Sequence, residues 1–224
     1  MTHSLKAQNL TRKLEGEIPV TLVQDINLEI KQGEFVAITG PSGSGKSSLL
    51  YLLGLLDKPT QGEVILNKKD TSNYSDNKLA RTRLKEIGFV FQFHFLLPEF
   101  SALENVMLPM QRLGKLNNAE IKKRAEELLI SVGLKEHMHK VPKQMSGGQC
   151  QRVAIARALA NDPMIILGDE PTGNLDTESS KNVQNILKDL AHNHGRTVLF
   201  VTHDPEFAKT ADRIIRLVDG KIEA

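Results

Sequence analysis

Of 224 residues one is cysteine, none is tryptophan and two are tyrosine. A single thiol, Cys150, excludes an internal disulfide framework and a cysteine-based zinc site. Net charge is scarce too. Lys and Arg number 29 against 27 Asp and Glu, leaving +2, too weak a field to gather nucleic acid or an anionic membrane. No nucleic-acid partner is expected. The cations between Lys68 and Lys85 sit beside Asp70, Asp76 and Glu86, the pattern of a solvated loop and helix face. No window reaches the ~18 consecutive apolar residues of a membrane span. Met1 to Leu10 is polar, unlike a signal peptide. The chain is expected in the cytosol, serving a membrane only through a partner. It has no internal repeats and no low-complexity segments.

What is present is ordinary for a soluble globular protein: 40% hydrophobic and 25% charged residues, and length enough for a full core. Ile26–Ile30 alternates apolar and polar, which predicts a half-buried strand. Lys31–Gly33 is a turn, and Glu34–Thr39 a second strand. It runs into the glycine-rich stretch 40–45, then a leucine-rich helix over Ser48–Leu56 that Pro59 helps to end. Asn117–Val132 reads as an amphipathic helix with Ile121, Ala125, Leu128, Leu129 and Val132 on one face. Asn117 and Glu120 have capping-box spacing. No strand-like run occurs between Phe95 and Gln144, so that stretch is expected to be a helical insertion. Helix returns at Gly147–Leu159 and Glu178–His192. Met164–Leu167 and Thr197–Thr202 are apolar enough to be strands buried on both faces, and Ile214–Val218 with Asp219-Gly220 predicts a closing hairpin.

The chemistry concentrates in two places. Gly40, Pro41, Ser42, Gly43, Ser44, Gly45, Lys46 and Ser47 match G-x-x-x-x-G-K-[ST] between a strand and a helix. Backbone N–H groups and a helix N-terminus in such a loop surround phosphate oxygens. Lys46 is expected to neutralise the β- and γ-phosphates, Ser47 to ligate Mg²⁺, and Ser48 to complete the ATP site. The apolar strand Met164–Leu167 leads to Asp169 and Glu170. Asp169 is expected to hold Mg²⁺, and Glu170 to polarise the attacking water as general base. The second place is Ser146, Gly147, Gly148 and Gln149 at the start of a helix, a second candidate anion site. One chain then carries two phosphate-facing helix ends, and the simplest reconciliation gives the second to a nucleotide on another subunit.

In this arrangement the chain resembles the ABC ATPase family over nearly its whole length. Met145–Gln151 is similar to the family's signature motif, with Met145 where Leu is usual. By resemblance, Gln92 is the glutamine that senses Mg²⁺ and γ-phosphate, Asn174-Leu-Asp176 is the loop that crosses the dimer interface, and His203 is the switch histidine. The family stacks an aromatic on adenine; the matching position here is Leu14, with Arg12 as a substitute through its guanidinium plane. Gly168 stands where a slightly larger small residue is usual. The other histidines, the pairs 137/139 and 192/194, are spaced i, i+2 and read as solvated. Cys150 reads as a surface or interface residue.

The resemblance implies an α/β fold with a mostly parallel sheet, an N-terminal antiparallel β portion and an inserted helical subdomain. It implies one domain over 1–224, with 1–92 and 146–224 as nucleotide-binding core and about 93–145 as the helical subdomain. It further implies a homodimer sandwiching two MgATP, integral membrane subunits docking near 93–108, and a peripheral place on the cytoplasmic face of the inner membrane. The apolar stretch from Gln92 to Phe100 is either core of the helical insertion or a docking groove. It is similar to the ATPases of lipoprotein-releasing systems; macrolide exporters share Glu170–Asp176 but resemble 92–100 less. Two other readings fit the sequence less well. A soluble, non-transport ABC protein generally carries a second cassette or a coiled coil, and a small-metabolite P-loop kinase has no use for Ser146–Gln149.

Overall fold

The structure, a computed structural model, describes residues 3–223; Met1 and Thr2 of the polar start lie outside the described residues. In chain order the elements are β1 (His3–Leu14), β2 (Val20–Lys31), β3 (Phe35–Thr39), α1 (Lys46–Leu53), β4 (Gln61–Leu66), β5 (Lys69–Asp70), α2 (Asp76–Glu86) and β6 (Ile87–Phe91). There follow α3 (Ala102–Leu113), α4 (Asn118–Ser131), α5 (Gly147–Ala158), β7 (Ile165–Asp169), α6 (Thr177–His192), β8 (Thr197–Val201), α7 (Pro205–Ala208), β9 (Arg213–Val218) and β10 (Lys221–Ile222). Short 3-10 turns at Lys135–His137 and Pro142–Gln144 lie between α4 and α5.

Two sheets form. One is antiparallel, in the order β2-β1-β4-β5; the other runs β10-β9-β3-β8-β7-β6. In the second, β9, β3, β8, β7 and β6 pair in parallel and β10 closes the edge as a hairpin with β9. A parallel sheet needs cover on both faces, and alternate residues of its strands supply it. Phe35, Ala37, Val90, Ile166, Val198 and Phe200 join one core with α3, α4, α5 and α6. Val36, Ile38, Ile165, Leu167, Leu199 and Val201 join a second core with α1 and the antiparallel sheet. Leu49, Leu50, Leu52 and Leu53 of α1 are all fully buried there, each contributing about 2 kcal/mol by area.

The expected architecture holds, with differences of extent. No strand lies between 95 and 144. Asn117 caps α4 as its spacing predicts: Glu120 N donates to Asn117 Oδ1 at 3.0 Å, and Asn117 N to Glu120 Oε2 at 2.8 Å. Pro59 does not end α1. The helix stops at Gly54, where an added Cβ would lie 2.1 Å from Phe89 Cζ. Strand β2 is twelve residues rather than the expected core of five, because β1, not predicted, pairs along it through irregular registers. Helix α3 lies within the expected helical insertion, where the sequence did not mark its bounds. A capping box of Ser101 and Glu104 starts it, and buried Asn105 ties it to the preceding loop through the carbonyls of Leu97 and Phe100.

Candidate functional site

The parallel strands place the candidate residues along one edge. Loop 40–45 follows β3, His203 follows β8, Asp169 ends β7, and Gln92 follows β6; neighbours in the sheet are therefore neighbours in the site. Ligands of open parallel sheets bind at this carboxyl end.

The first loop depends on glycine where the backbone demands it. Gly45 sits at φ 93 and an added Cβ would meet Leu22 O at 2.1 Å; at Gly40, φ 147, it would meet Leu217 O at 1.9 Å. Helix α1 starts from Gly45 with no side-chain cap and no acidic residue in its first turn, so its terminal N–H groups face the loop interior. Lys46 Nζ donates to the carbonyls of Gly40 at 3.0 Å and Pro41 at 2.7 Å, which holds the ammonium over the loop. Ser44 Oγ is buried without a partner. Uncapped N–H groups, a cation and an unused hydroxyl make a cradle suited to phosphate.

Ser47 Oγ donates to Asp169 Oδ1 at 2.8 Å. The carboxylate's other oxygen accepts from Tyr51 Oη at 2.7 Å, a residue the sequence reading did not single out. Its signal was available: Tyr51 is four residues after Ser47 and shares its helix face. Burial, then the hydrogen bond to Asp169 and its charge, pushes the Tyr51 phenol up to about 12. Glu170 adopts φ 50, a left-handed conformation that costs on the order of 1 kcal/mol or more in a non-glycine residue and recurs at functional positions. Its Oε2 lies 2.6 Å from His203 Nδ1. Gly168 has a tight packing reason, since an added Cβ would stand 3.2 Å from Phe200 Cβ and 3.3 Å from Pro171 Cγ. Gln92 is not joined to the Ser47–Asp169 pair. Its Nε2 donates to Asn174 Oδ1 at 3.1 Å.

At the second helix end the chain supplies its own cap. Gln149 N donates to Ser146 Oγ at 3.2 Å and Ser146 N to Gln149 Oε1 at 2.9 Å, a complete capping box on α5. Gly148 is required by space, because a Cβ there would lie 2.3 Å from Ser179 Oγ. Asp176 caps α6 through Ser179 N at 2.9 Å, and that backbone hydrogen bond holds its carboxyl below the usual range. Two expectations are corrected here. Cys150 is core, not surface: it is buried on the inner face of α5, and burial pushes its thiol up. His137 is half-buried rather than solvated, its Nε2 lying 3.1 Å from Gln149 Nε2. His192 and His194 are each taken by a separate carboxylate, Asp212 and Asp189.

Two outlying regions complete the picture. Leu14 is 42% exposed at the end of β1. Arg12 is not free to replace it, because its Nε donates to Asp57 Oδ2 at 2.7 Å. In the apolar stretch, Leu96 is core, whereas Phe93 and Phe95 are each 63% exposed and Leu97 and Phe100 are exposed beside them.

Residues 23–173, from β2 to the loop after Glu170, match the ABC transporter family. The chain belongs to that family. Among its relatives, the lipoprotein-releasing system ATP-binding protein LolD 1 of Chlorobium chlorochromatii is 50% identical over 97% of this chain and 89% of its own. The macrolide export ATP-binding/permease protein MacB of Bartonella henselae is 48% identical over 98% of this chain and 33% of its own length. Among solved structures, the post-hydrolysis dimer of the ATP-binding cassette MJ0796 bound to ADP and Pi superposes with a TM-score of 0.91 at 46% identity, covering 98% of this chain and 97% of that one. As an ABC cassette the chain is an ATP-binding subunit that hydrolyses ATP. Among the described residues no helix is long and apolar enough to cross a membrane.

Proposed function

We propose that the chain is the ATPase of a lipoprotein-releasing ABC transporter and works as a homodimer on MgATP. Loop 40–48 holds the triphosphate. The oxygen donors Ser47 and Asp169, 2.8 Å apart at the loop, suit the Mg²⁺ that arrives with ATP, a hard cation preferring oxygen; Gln92 approaches it once its bond to Asn174 yields. Glu170 takes the proton of the attacking water, and His203 stands beside it at the γ-phosphate end. Ser146, Gly147, Gly148 and Gln149 close the site from the partner subunit across a two-fold axis, with Asp176 at the crossing. Leu14 lies nearest the role of covering the adenine.

The observation that carries this reading is the pair of helix ends, one open to phosphate and one closed on itself. A single γ-phosphate needs both only in a head-to-tail dimer. The exposed Phe93, Phe95, Leu97 and Phe100 form the docking face, continuing to about 108, for integral membrane subunits. On this reading the chain sits peripherally on the cytoplasmic face of the inner membrane. The lipoprotein-releasing relatives support the cargo assignment. A second reading, the cassette of a macrolide exporter, is favoured by the 48% identity of the exporter relative.

The test is reconstitution of the chain with its membrane subunits in vesicles carrying acylated lipoproteins. MgATP should release the lipoproteins and Glu170→Gln should not. Retention of lipoprotein with ATP-driven movement of a macrolide would replace the first reading by the second.

A further inference from the structure

Helix α5 does more than present Ser146 at its first turn. Two of its later side chains reach the loop that carries Gln92, one on each side of that residue. Gln151 is 1% exposed, buried in the same helix as Cys150, Val153, Ala154 and Ile155. Its Nε2 donates at 2.8 Å to Phe91 O, immediately before Gln92, and at 2.8 Å to Pro171 O, immediately after Glu170. One amide thereby uses both of its hydrogens on the backbones flanking two reactive residues. Arg157 takes the other side. Its two terminal nitrogens donate to His94 O and Phe95 O, each at 2.7 Å. Phe95 is there in a left-handed conformation, φ 45, which a bulky residue keeps only when its surroundings hold it. The planar guanidinium fork matches two successive carbonyls in a way that lysine cannot.

We propose that Gln151 and Arg157 are positioning residues for hydrolysis: together they fix the Gln92 loop to the signature helix from both sides. Both act through backbone carbonyls on either side of residue 92. Because α5 begins at Ser146, a shift of that helix when it meets the partner's nucleotide reaches this chain's own Gln92 directly. Residues 93–100 sit on the same held backbone, so the face outside and the glutamine inside move as one piece. The proposal rests on the role given above to Gln92, and the test separates the two.

The experiment is MgATP hydrolysis by the full chain, with turnover normalised to bound nucleotide, for Gln151→Met, Arg157→Lys, Gln92→Ala and Gln92→Ala/Arg157→Lys. A misplaced catalytic loop costs rate rather than binding. Gln151→Met and Arg157→Lys should each lower kcat by about tenfold or more, with KM for ATP within about threefold and unchanged nucleotide bound per chain. In the Gln92→Ala background, Arg157→Lys should cost less than about twofold further, as expected of residues acting as a unit. Two results overturn the proposal: kcat falling only in proportion to bound nucleotide, which is loss of folded protein, or an Arg157→Lys effect of equal size with and without Gln92. A Gln92→Ala chain with wild-type kcat overturns the role of Gln92 itself, and the proposal with it.

Discussion

Two helices of this chain begin at glycine-rich turns, and they treat their first N–H groups in opposite ways. At α1 the residue before the helix is Gly45, no side chain caps it, and Lys46 lies over the loop. At α5, Ser146 and Gln149 cap one another, so the Ser146 and Gln149 N–H groups are met without any anion. A helix end left uncapped is unfavourable unless something else meets its donors. The first loop is therefore specified for an anion held within the chain. The second is capped by its own residues, and in the proposed dimer it lends a serine hydroxyl and glycine N–H groups to the partner's nucleotide. In the proposed dimer, that difference keeps the two ends of one chain from competing for a single triphosphate.

Substitutions can break that contrast, and the largest expected effect is on turnover. Glu170→Gln should abolish hydrolysis, a loss of about 10²–10⁴ in rate for a missing general base, while MgATP remains bound and holds two chains together in size-exclusion chromatography. Substantial residual hydrolysis would move the base role, with His203 the next candidate at 2.6 Å. Next is the open end. Lys46→Ala removes charge-assisted hydrogen bonds worth about 1.5–3 kcal/mol each, so ATP affinity measured by titration calorimetry should fall by a factor of about ten to a hundred or more. The closed end should behave differently. Ser146→Ala should leave the ATP affinity of the single chain unchanged and lower stability by about 1 kcal/mol, as loss of an N-cap does; turnover should nonetheless be lost.

Smaller effects sharpen the edges of the account. Leu14→Tyr should tighten ATP by about 0.5–1.5 kcal/mol if that position covers the base, seen as a lower Kd; no change would give the base to another residue. Phe95→Asp should leave the melting temperature nearly unchanged, since the side chain is 63% exposed and surface substitutions stay within about 0.5 kcal/mol. Partner-stimulated hydrolysis should disappear in the same variant. A large drop in melting temperature would return Phe95 to the core and remove it from the docking face.

The contrast between the two ends also shows what a sequence can reveal. Loop 40–47 is legible because its chemistry is local: the glycines, Lys46 and Ser47 are consecutive, and the strand before and helix after announce themselves by apolar runs. The capping box at Asn117 is legible for the same reason. Strand β1 is not, because its alternation breaks at Asn9, φ 48, where the register shifts. Helix α2 shows in sequence only as a solvated face without bounds, because only Leu79 on it is buried. The role of Gln151 depends on carbonyls 60 and 20 residues away, a relation that no spacing rule contains. Cys150 departs from its expected surface or interface place because the turn of α5 carries that side chain inward.

Whether Ser146 serves the partner's nucleotide is settled most directly by mixing two inactive chains. Lys46→Ala keeps an intact signature and Ser146→Arg an intact phosphate loop. Combined in equal amounts, random pairing makes half of the dimers mixed, each with one complete site. The account predicts that ATPase activity, absent from either variant alone, returns in the mixture to about a quarter of the wild-type rate. Activity no higher in the mixture than in the separate variants would contradict it, and would place both helix ends at a nucleotide within one chain.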